Sequence, residues 1–495
     1  MKNINKVLIA NRGEIAIRVI RSAKEMGIST VAVYSEADRL APHVKLADEA
    51  ICIGPAPSSE SYLVIDNIIE ASKKLNVDAI HPGYGFLSEN ATFARKLKEA
   101  GIILIGPSAE SMEIMGDKLA AKTAVATYDI PMVPGINEAV EDLTIAKKVA
   151  DEIGYPVLIK ASAGGGGKGM RVVESPDELE EGMTRAISEA KSAFGNGAVF
   201  IEKFIGSPRH IEVQVLGDEH GNILHLFERE CSIQRRHQKV IEEAPSSIFS
   251  EEKRKAIGET AVNVARACDY VGAGTVEFIV DENHDFFFLE MNTRLQVEHC
   301  VTEEITGIDL VKEQIKVARG EKLSFAQEDL SIHGHALEVR IYAENPKNNF
   351  LPDIGKLISY KRPHGPGVRI DDGYEEGMDI PIYYDPMIGK LITKGATRKE
   401  AIDRMTRAID EFQINGIETT LSFCKFAINH EAFVSGNFDT KFVQNYFKPE
   451  MLDAGTEEEE KVAAVIAAMA LDETKSPKMS ANKSSKNWKA RTSYR

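Results

Sequence analysis

Three oxygen-bearing side chains near the middle of the chain are placed to do chemistry together. Glu290 and Asn292 sit two apart at the end of a strand-like run, so their side chains face the same way. Glu277 lies in the middle of another such run, Thr275-Val276-Glu277-Phe278-Ile279, where a buried carboxylate is expensive without a partner. Oxygen ligands of this kind suit Mg²⁺ bridging substrate phosphates. Further back, Gly164-Gly165-Gly166-Gly167-Lys168-Gly169 lies between Val157–Lys160 and Met170–Val173, and reads as the tip of a hairpin. Glycines there let backbone N–H groups approach phosphate oxygens closely. The run is not a Walker loop, because Gly169 stands where that motif needs Ser or Thr. Basic and polar groups cluster in Ser232 to Lys239 and again in Asn292 to His299.

These groups need a frame. The first hundred or so residues alternate short apolar strands with helices: Val7–Ala10, a helix over Ile15 to Met26 stopped by Gly27, then Thr30–Tyr34, Ala79-Ile80 and Ile102–Ile105. That alternation predicts a doubly wound parallel sheet, with active groups at the carboxyl ends of the strands. A dinucleotide fold competes, but Asn11-Arg12-Gly13-Glu14 lacks the three-glycine fingerprint. Strands denser in β-branched and aromatic residues follow at His210–Leu216, Gly274–Val280 and Phe286–Leu289.

The 495-residue chain has a formal net charge of -16, which argues against general nucleic-acid binding. A few well-placed cations can still make a local pocket for a nucleotide. No stretch approaches the roughly 20 apolar residues of a membrane helix, and strand character begins so early that no signal peptide is expected. Five widely spaced cysteines without a Cys-x-x-Cys pair read as reduced thiols, and a cytoplasmic location is expected.

Several long segments, in order, resemble the biotin carboxylases, which are ATP-grasp enzymes. They are Ala10–Ala16, His81–Asn90, the Lys160–Met170 glycine segment, Gln234–Lys239 and Glu290–His299, and the resemblance covers roughly residues 1–447. It implies an α/β fold: an N-terminal doubly wound sheet (1–115), an ATP-grasp domain (116–330) with a mobile glycine-rich lid at about 132–205, and a mixed α+β C-terminal domain (331–447). It also implies roles. Lys118, Lys160, Gly166, Gly167, Glu202, Lys203, Phe204, Ile205, His210, Gln234 and His237 should hold ATP. Glu277, Glu290 and Asn292 should ligate two Mg²⁺ or Mn²⁺ ions. Lys239, Arg294, Gln296 and Val297 should hold bicarbonate, with Glu298 as general base, and Arg340 should face biotin. The family commonly has Pro after the motif histidine, where this chain has Cys300.

No Ala-Met-Lys-Met-like biotin attachment motif and no carboxyltransferase-sized segment is present. The resemblance therefore implies biotin arriving on a separate carrier protein, carboxyltransferase partners, and a homodimer, with neither nucleic acid nor membrane. Arg340–Pro346 with Asn349–Pro352 looks closest to subunits of acyl-CoA carboxylases; a two-subunit pyruvate carboxylase and another ATP-grasp carboxylate–amine ligase are the alternatives. Residues 448–495 form a tail, with four glutamates before the apolar Val462–Ala470 and a basic end holding the only tryptophan, Trp488. A short helix followed by disorder is expected. The tail either docks on the carboxyltransferase or carrier, or packs its helix on its own domain.

Overall fold

The computed structural model describes residues 2–136, 140, 142–161, 170–194, 197–452, 461–462 and 464–469. Residues 1–447 form one compact unit and residues 448–495 a second. Of the second, residues 461–462 and 464–469 are helical, with Val462, Val465, Ile466 and Met469 exposed. Trp488 lies outside the described residues.

A five-stranded sheet opens the chain. The 6–9 strand pairs in parallel with both 29–35 and 79–81, which extend to 49–54 and 103–104 on either side. Helix Gly13–Glu25 follows the first strand and lays Ile15, Val19, Ile20 and Ala23 into the core beneath the sheet. Gly27 ends it in the left-handed region, at φ 71°. The doubly wound reading of this part is correct to within a residue or two per element.

Strands 157–161, 170–173 and 199–203 make a small antiparallel sheet. The first two form the expected hairpin. Its tip, including Gly166 and Gly167, lies outside the described residues.

The largest sheet has eight strands in the order 286–292, 272–280, 209–217, 223–235, 238–244, 335–342, 387–395 and 368–372, all neighbours antiparallel. Pairing of 238–244 with 335–342 carries it across the point where the sequence suggests a third region. Alternation explains how one sheet serves two purposes. Ile211, Val213 and Val215 project into one apolar cluster, and Leu337, Val339 and Ile341 into another. The residues between them, Glu212, Gln214, Glu338 and Arg340, therefore project to the other face. The sheet thus has a layer of charge on the side away from those clusters.

Candidate active site

The charged layer is organised in cross-strand rows. Arg229, Glu212, Glu277 and Glu290 are successive register partners across four strands. Gln214, Thr275 and Asn292 form the next row on the same face. Arg340, Lys390 and Asp371 form a third. Residues far apart in sequence meet because the ladder aligns them.

Lys239 stands at the centre. Its ammonium donates to Glu277 Oε1 at 2.8 Å, to Glu298 Oε1 at 2.9 Å, and to Glu212. Burial opposes its charge, yet the three carboxylates outweigh burial and raise its pKa well above that of an ordinary lysine. Glu298, 2 % exposed, is gripped from its other side by Arg340, whose guanidinium donates to Oε2 at 3.0 Å. Burial favours the protonated acid there, but Lys239, Arg340 and Arg229 prevail and hold Glu298 far below the usual carboxylate range. Glu298 is therefore ionised at neutral pH.

Glu277 Oε1 also accepts from Asn292 Nδ2 at 2.9 Å and Gln296 Nε2 at 2.8 Å, and His210 Nε2 lies 2.9 Å from its other oxygen. Burial raises the Glu277 pKa, but Lys239 and His210 lower it further, to well below the ordinary value. Expecting Glu277 to be buried and partnered is correct: its strand is interior, between 209–217 and 286–292. Gln296 is fixed at both ends, since its Oε1 accepts from Arg229 at 3.3 Å. Arg294 donates to Asn292 Oδ1 at 3.0 Å and to Glu89 Oε2 at 2.8 Å. The Val297 carbonyl accepts from the fully buried Lys390 at 2.7 Å.

Carboxylate and amide oxygens are the donors Mg²⁺ prefers, so Glu277, Glu290 and Asn292 fit such an ion chemically. The carboxylate of Glu277 also clusters with His210 and Glu212, the three ligand atoms lying within 4.8 Å of one another. Glu277 is common to both groupings. Glu290 is exposed at the outer strand of the row.

The residues expected to hold ATP fall into smaller groups. Glu202 accepts from Lys160 at 2.5 Å and Lys122 at 2.7 Å. Lys203 does not point into that cluster; its ammonium is tied to the carbonyls of Gly154 and Tyr155 at 2.9 and 3.1 Å. Phe204 and Ile205 leave the 199–203 strand, with Phe204 N–H donating to the Pro156 carbonyl at 3.1 Å. Lys118 opens helix Lys118–Val125. Gln234 donates to the Cys231 carbonyl, and His237 sits in the turn between 223–235 and 238–244 with Arg236, both left-handed.

Several members of this network escape a reading of the sequence: Glu212, Arg229, Glu89, Lys390 and Glu242, whose Oε1 accepts from Arg340 Nε at 2.6 Å. Arg229 has no exposure, and donates to Gln214, Thr302 and Thr275 as well as to Glu212. The available signal was a charge at a strand position whose neighbours are apolar, as in Ile211-Glu212-Val213. Cys300, in the usual place of Pro, is buried, donates to Asp371 at 3.3 Å and accepts from Lys390 at 3.2 Å. It occupies the first turn of helix His299–Thr306, where a proline is also tolerated.

Comparison with known proteins follows the same outline. Family models match residues 3–112 (biotin carboxylase, N-terminal domain), 117–326 (carbamoyl-phosphate synthase L chain, ATP binding domain) and 338–445 (biotin carboxylase C-terminal domain). Biotin carboxylase 1 of Bacillus subtilis is 54% identical over 444 residues, covering 90% of this chain and 99% of that one. Human mitochondrial propionyl-CoA carboxylase alpha chain is 54% identical over 448 residues, but the match spans only 62% of its length, against 90% of this chain. A pyruvate carboxylase subunit of Methanothermobacter thermautotrophicus is 54% identical over 442 residues, 89% of this chain and 90% of that one. The biotin carboxylase domain dimer of Hydrogenobacter thermophilus 2-oxoglutarate carboxylase, solved with MgADP, ADP and bicarbonate, superposes with a TM-score of 0.85 at 46% identity, over 92% of this chain and all of that one.

Proposed function

This chain belongs to the biotin carboxylase family, and on that premise we propose that it carboxylates biotin on a separate carrier protein, using ATP and bicarbonate. The observation that carries the reading is Glu298: a buried carboxylate, kept ionised, held between Lys239 and Arg340. A base of that kind beside two cations suits an anionic substrate that must lose a proton. Glu298 takes the bicarbonate proton, and the resulting nucleophile attacks the terminal phosphoryl group of ATP, forming carboxyphosphate as the bond to the leaving ADP breaks. Lys239 and Arg294 would hold the bicarbonate, with Gln296 and the Val297 backbone fixing its orientation. A Mg²⁺ ion held by Glu277, Glu290 and Asn292 would offset charge on the transferred phosphoryl group.

Bound alone between two cations, Glu298 is a weak base. An arriving bicarbonate competes for Lys239, loosens that grip and raises the basicity of Glu298 when the substrate is in place. In the second half-reaction carboxyphosphate breaks down to CO₂ and phosphate, the phosphate takes the ureido N–H proton, and the biotin nitrogen attacks CO₂ while the Arg340 guanidinium stabilises the ureido anion. Lys160, His210, Gln234 and His237, with Glu202 to Ile205, Lys118, Gly166 and Gly167, make up the proposed nucleotide site.

We further propose that the carboxyl group passes to an acyl-CoA through carboxyltransferase partners, and that the chain works as a homodimer like the Hydrogenobacter thermophilus domain. Relatives named for propionyl-CoA and for pyruvate are equally similar to this chain. The acyl-CoA choice therefore rests on the Arg340–Pro352 segment. Among the described residues no helix is long and apolar enough to cross a membrane. The reading is tested by ADP release with ATP, bicarbonate and free biotin, each omitted in turn. Turnover should need all three; brisk turnover driven by an amine without biotin would overturn it.

A further inference from the structure

Two buried carboxyl groups take no part in the chemistry above. Glu242 and Glu338 are register partners across strands 238–244 and 335–342, and neither has any exposure. Opposite residues in an antiparallel pair project to one face with Cβ atoms about 4.5–5.5 Å apart, so the two carboxyl groups are neighbours. Glu242 Oε1 accepts from Arg340 Nε at 2.6 Å, while Glu242 Oε2 and both oxygens of Glu338 have no hydrogen-bond partner. Lys390, on the adjoining strand, directs its ammonium to the Val297 carbonyl, Cys300 and Glu14 instead.

We propose that Glu242 and Glu338 work as one carboxylate–carboxylic acid pair, which positions Arg340 and keeps its charge available to the biotin anion. The inference rests on the reading that Arg340 faces biotin. Two adjacent buried carboxyl groups resist ionising together. Burial pushes both above the usual carboxylate range, with Arg340 opposing the rise at Glu242 and Lys390 at Glu338. The geometry says where the proton sits: Glu242 holds the guanidinium and is the anion, whereas Glu338 touches no cation and keeps the proton. With both ionised, Arg340 would be surrounded by Glu242, Glu338 and Glu298, and a new anion would be repelled. With both protonated, the guanidinium would lose the ionic partner that fixes Nε.

The groups facing the pair leave this balance intact. Glu242 looks toward Arg340, Tyr342, Lys239, Glu298 and the thiols of Cys231 and Cys424. Glu338 looks toward Lys390, Arg340, Glu298 and Cys300. Burial raises all three thiols and the Tyr342 phenol, so they stay neutral. Arg340, Lys390, Lys239 and Glu298 stay charged.

The test compares Glu338→Gln, a permanent mimic of the neutral acid, with Glu338→Ala and Glu242→Gln. In the wild type, kcat/KM for biotin should fall as pH rises and the pair loses its last proton. Glu338→Gln should keep kcat/KM at neutral pH within about threefold and lose that alkaline fall, whereas Glu242→Gln should raise the biotin KM about tenfold or more without changing the ATP KM. Infrared difference spectra should show a protonated carboxyl band at pH 7 in the wild type and not in Glu338→Gln. A Glu338→Gln profile that superposes on the wild type, or equal losses in Glu338→Gln and Glu338→Ala toward ATP, bicarbonate and biotin, would overturn the pair. Wild-type protein whose ADP release ignores bicarbonate and biotin would instead overturn the functional reading, and the infrared band would still judge the pair.

Discussion

Glu298→Gln keeps the shape of the side chain and removes both its charge and its capacity to take a proton. In the wild type Glu298 accepts from Lys239 at 2.9 Å and from Arg340 at 3.0 Å. A glutamine has one acceptor oxygen, so its amide nitrogen must face one of those cations. Removing one partner of a buried ion pair commonly costs about 3–5 kcal/mol because a charge is left alone. Here neither cation is left alone: Lys239 keeps Glu277 at 2.8 Å and Glu212, and Arg340 keeps Glu242 at 2.6 Å. We therefore expect a stability loss of only about 1.5–3 kcal/mol, the scale of one charge-assisted hydrogen bond. The kinetic loss should be far larger, about 10²–10⁴-fold in kcat, which is the range of a positioned general base. The site also becomes more positive by one charge, so the KM for bicarbonate should stay level or fall. ADP release at saturating ATP and biotin, with bicarbonate varied, separates kcat from KM, and thermal unfolding measures stability. A kcat loss under tenfold, or a rise in bicarbonate KM with kcat retained, would refute the assignment of Glu298 as base.

Glu290→Gln should lower kcat by about a hundredfold, the scale of roughly 3 kcal/mol of electrostatic stabilisation; titrating Mg²⁺ checks it, and unchanged turnover at limiting metal would make that carboxylate structural. Arg340→Ala should impair biotin carboxylation far more than ATP binding, which nucleotide titration and ADP release measure side by side. His43 and His81 are fully buried, and burial lowers the pKa of each to about 4. Folded-state values below the unfolded value of about 6.5 mean that their contribution is complete above pH 6.5 and is lost as pH falls toward 4, by about 3 kcal/mol each at pH 4. Thermal unfolding between pH 7 and 4 should show that loss, reduced when His43 is replaced by Gln.

The N-terminal sheet was legible because parallel strands buried on both faces read as short apolar runs. The strands over 6–9 and 29–35, mostly buried, illustrate the point. The eight-stranded sheet was legible only in pieces. Its strands could be named, but the pairing of Glu242 with Glu338, or Arg340 with Lys390, is a matter of register between distant segments. Local pattern carries no information on that. The same limit explains the site. Glu277, Glu290 and Asn292 were visible as carboxylate and amide groups in strands, and long motifs marked Lys239, Arg294 and Glu298. Glu212, Arg229 and Lys390 carry no motif of their own, and look like surface charges until the ladder turns them inward. Lys203 shows the converse: motif membership did not reveal that its ammonium would be tied to the carbonyls of Gly154 and Tyr155.

Carbon from bicarbonate should end on biotin at the expense of ATP. Incubating the full chain with Mg²⁺, ATP, free biotin and isotope-labelled bicarbonate, and trapping the product at alkaline pH, measures that transfer directly. Labelled carboxybiotin should form in step with ADP, depend on every component and form about 10²–10⁴-fold more slowly in Glu298→Gln. ADP release without labelled carboxybiotin, or label transferred to an amine in place of biotin, would contradict it.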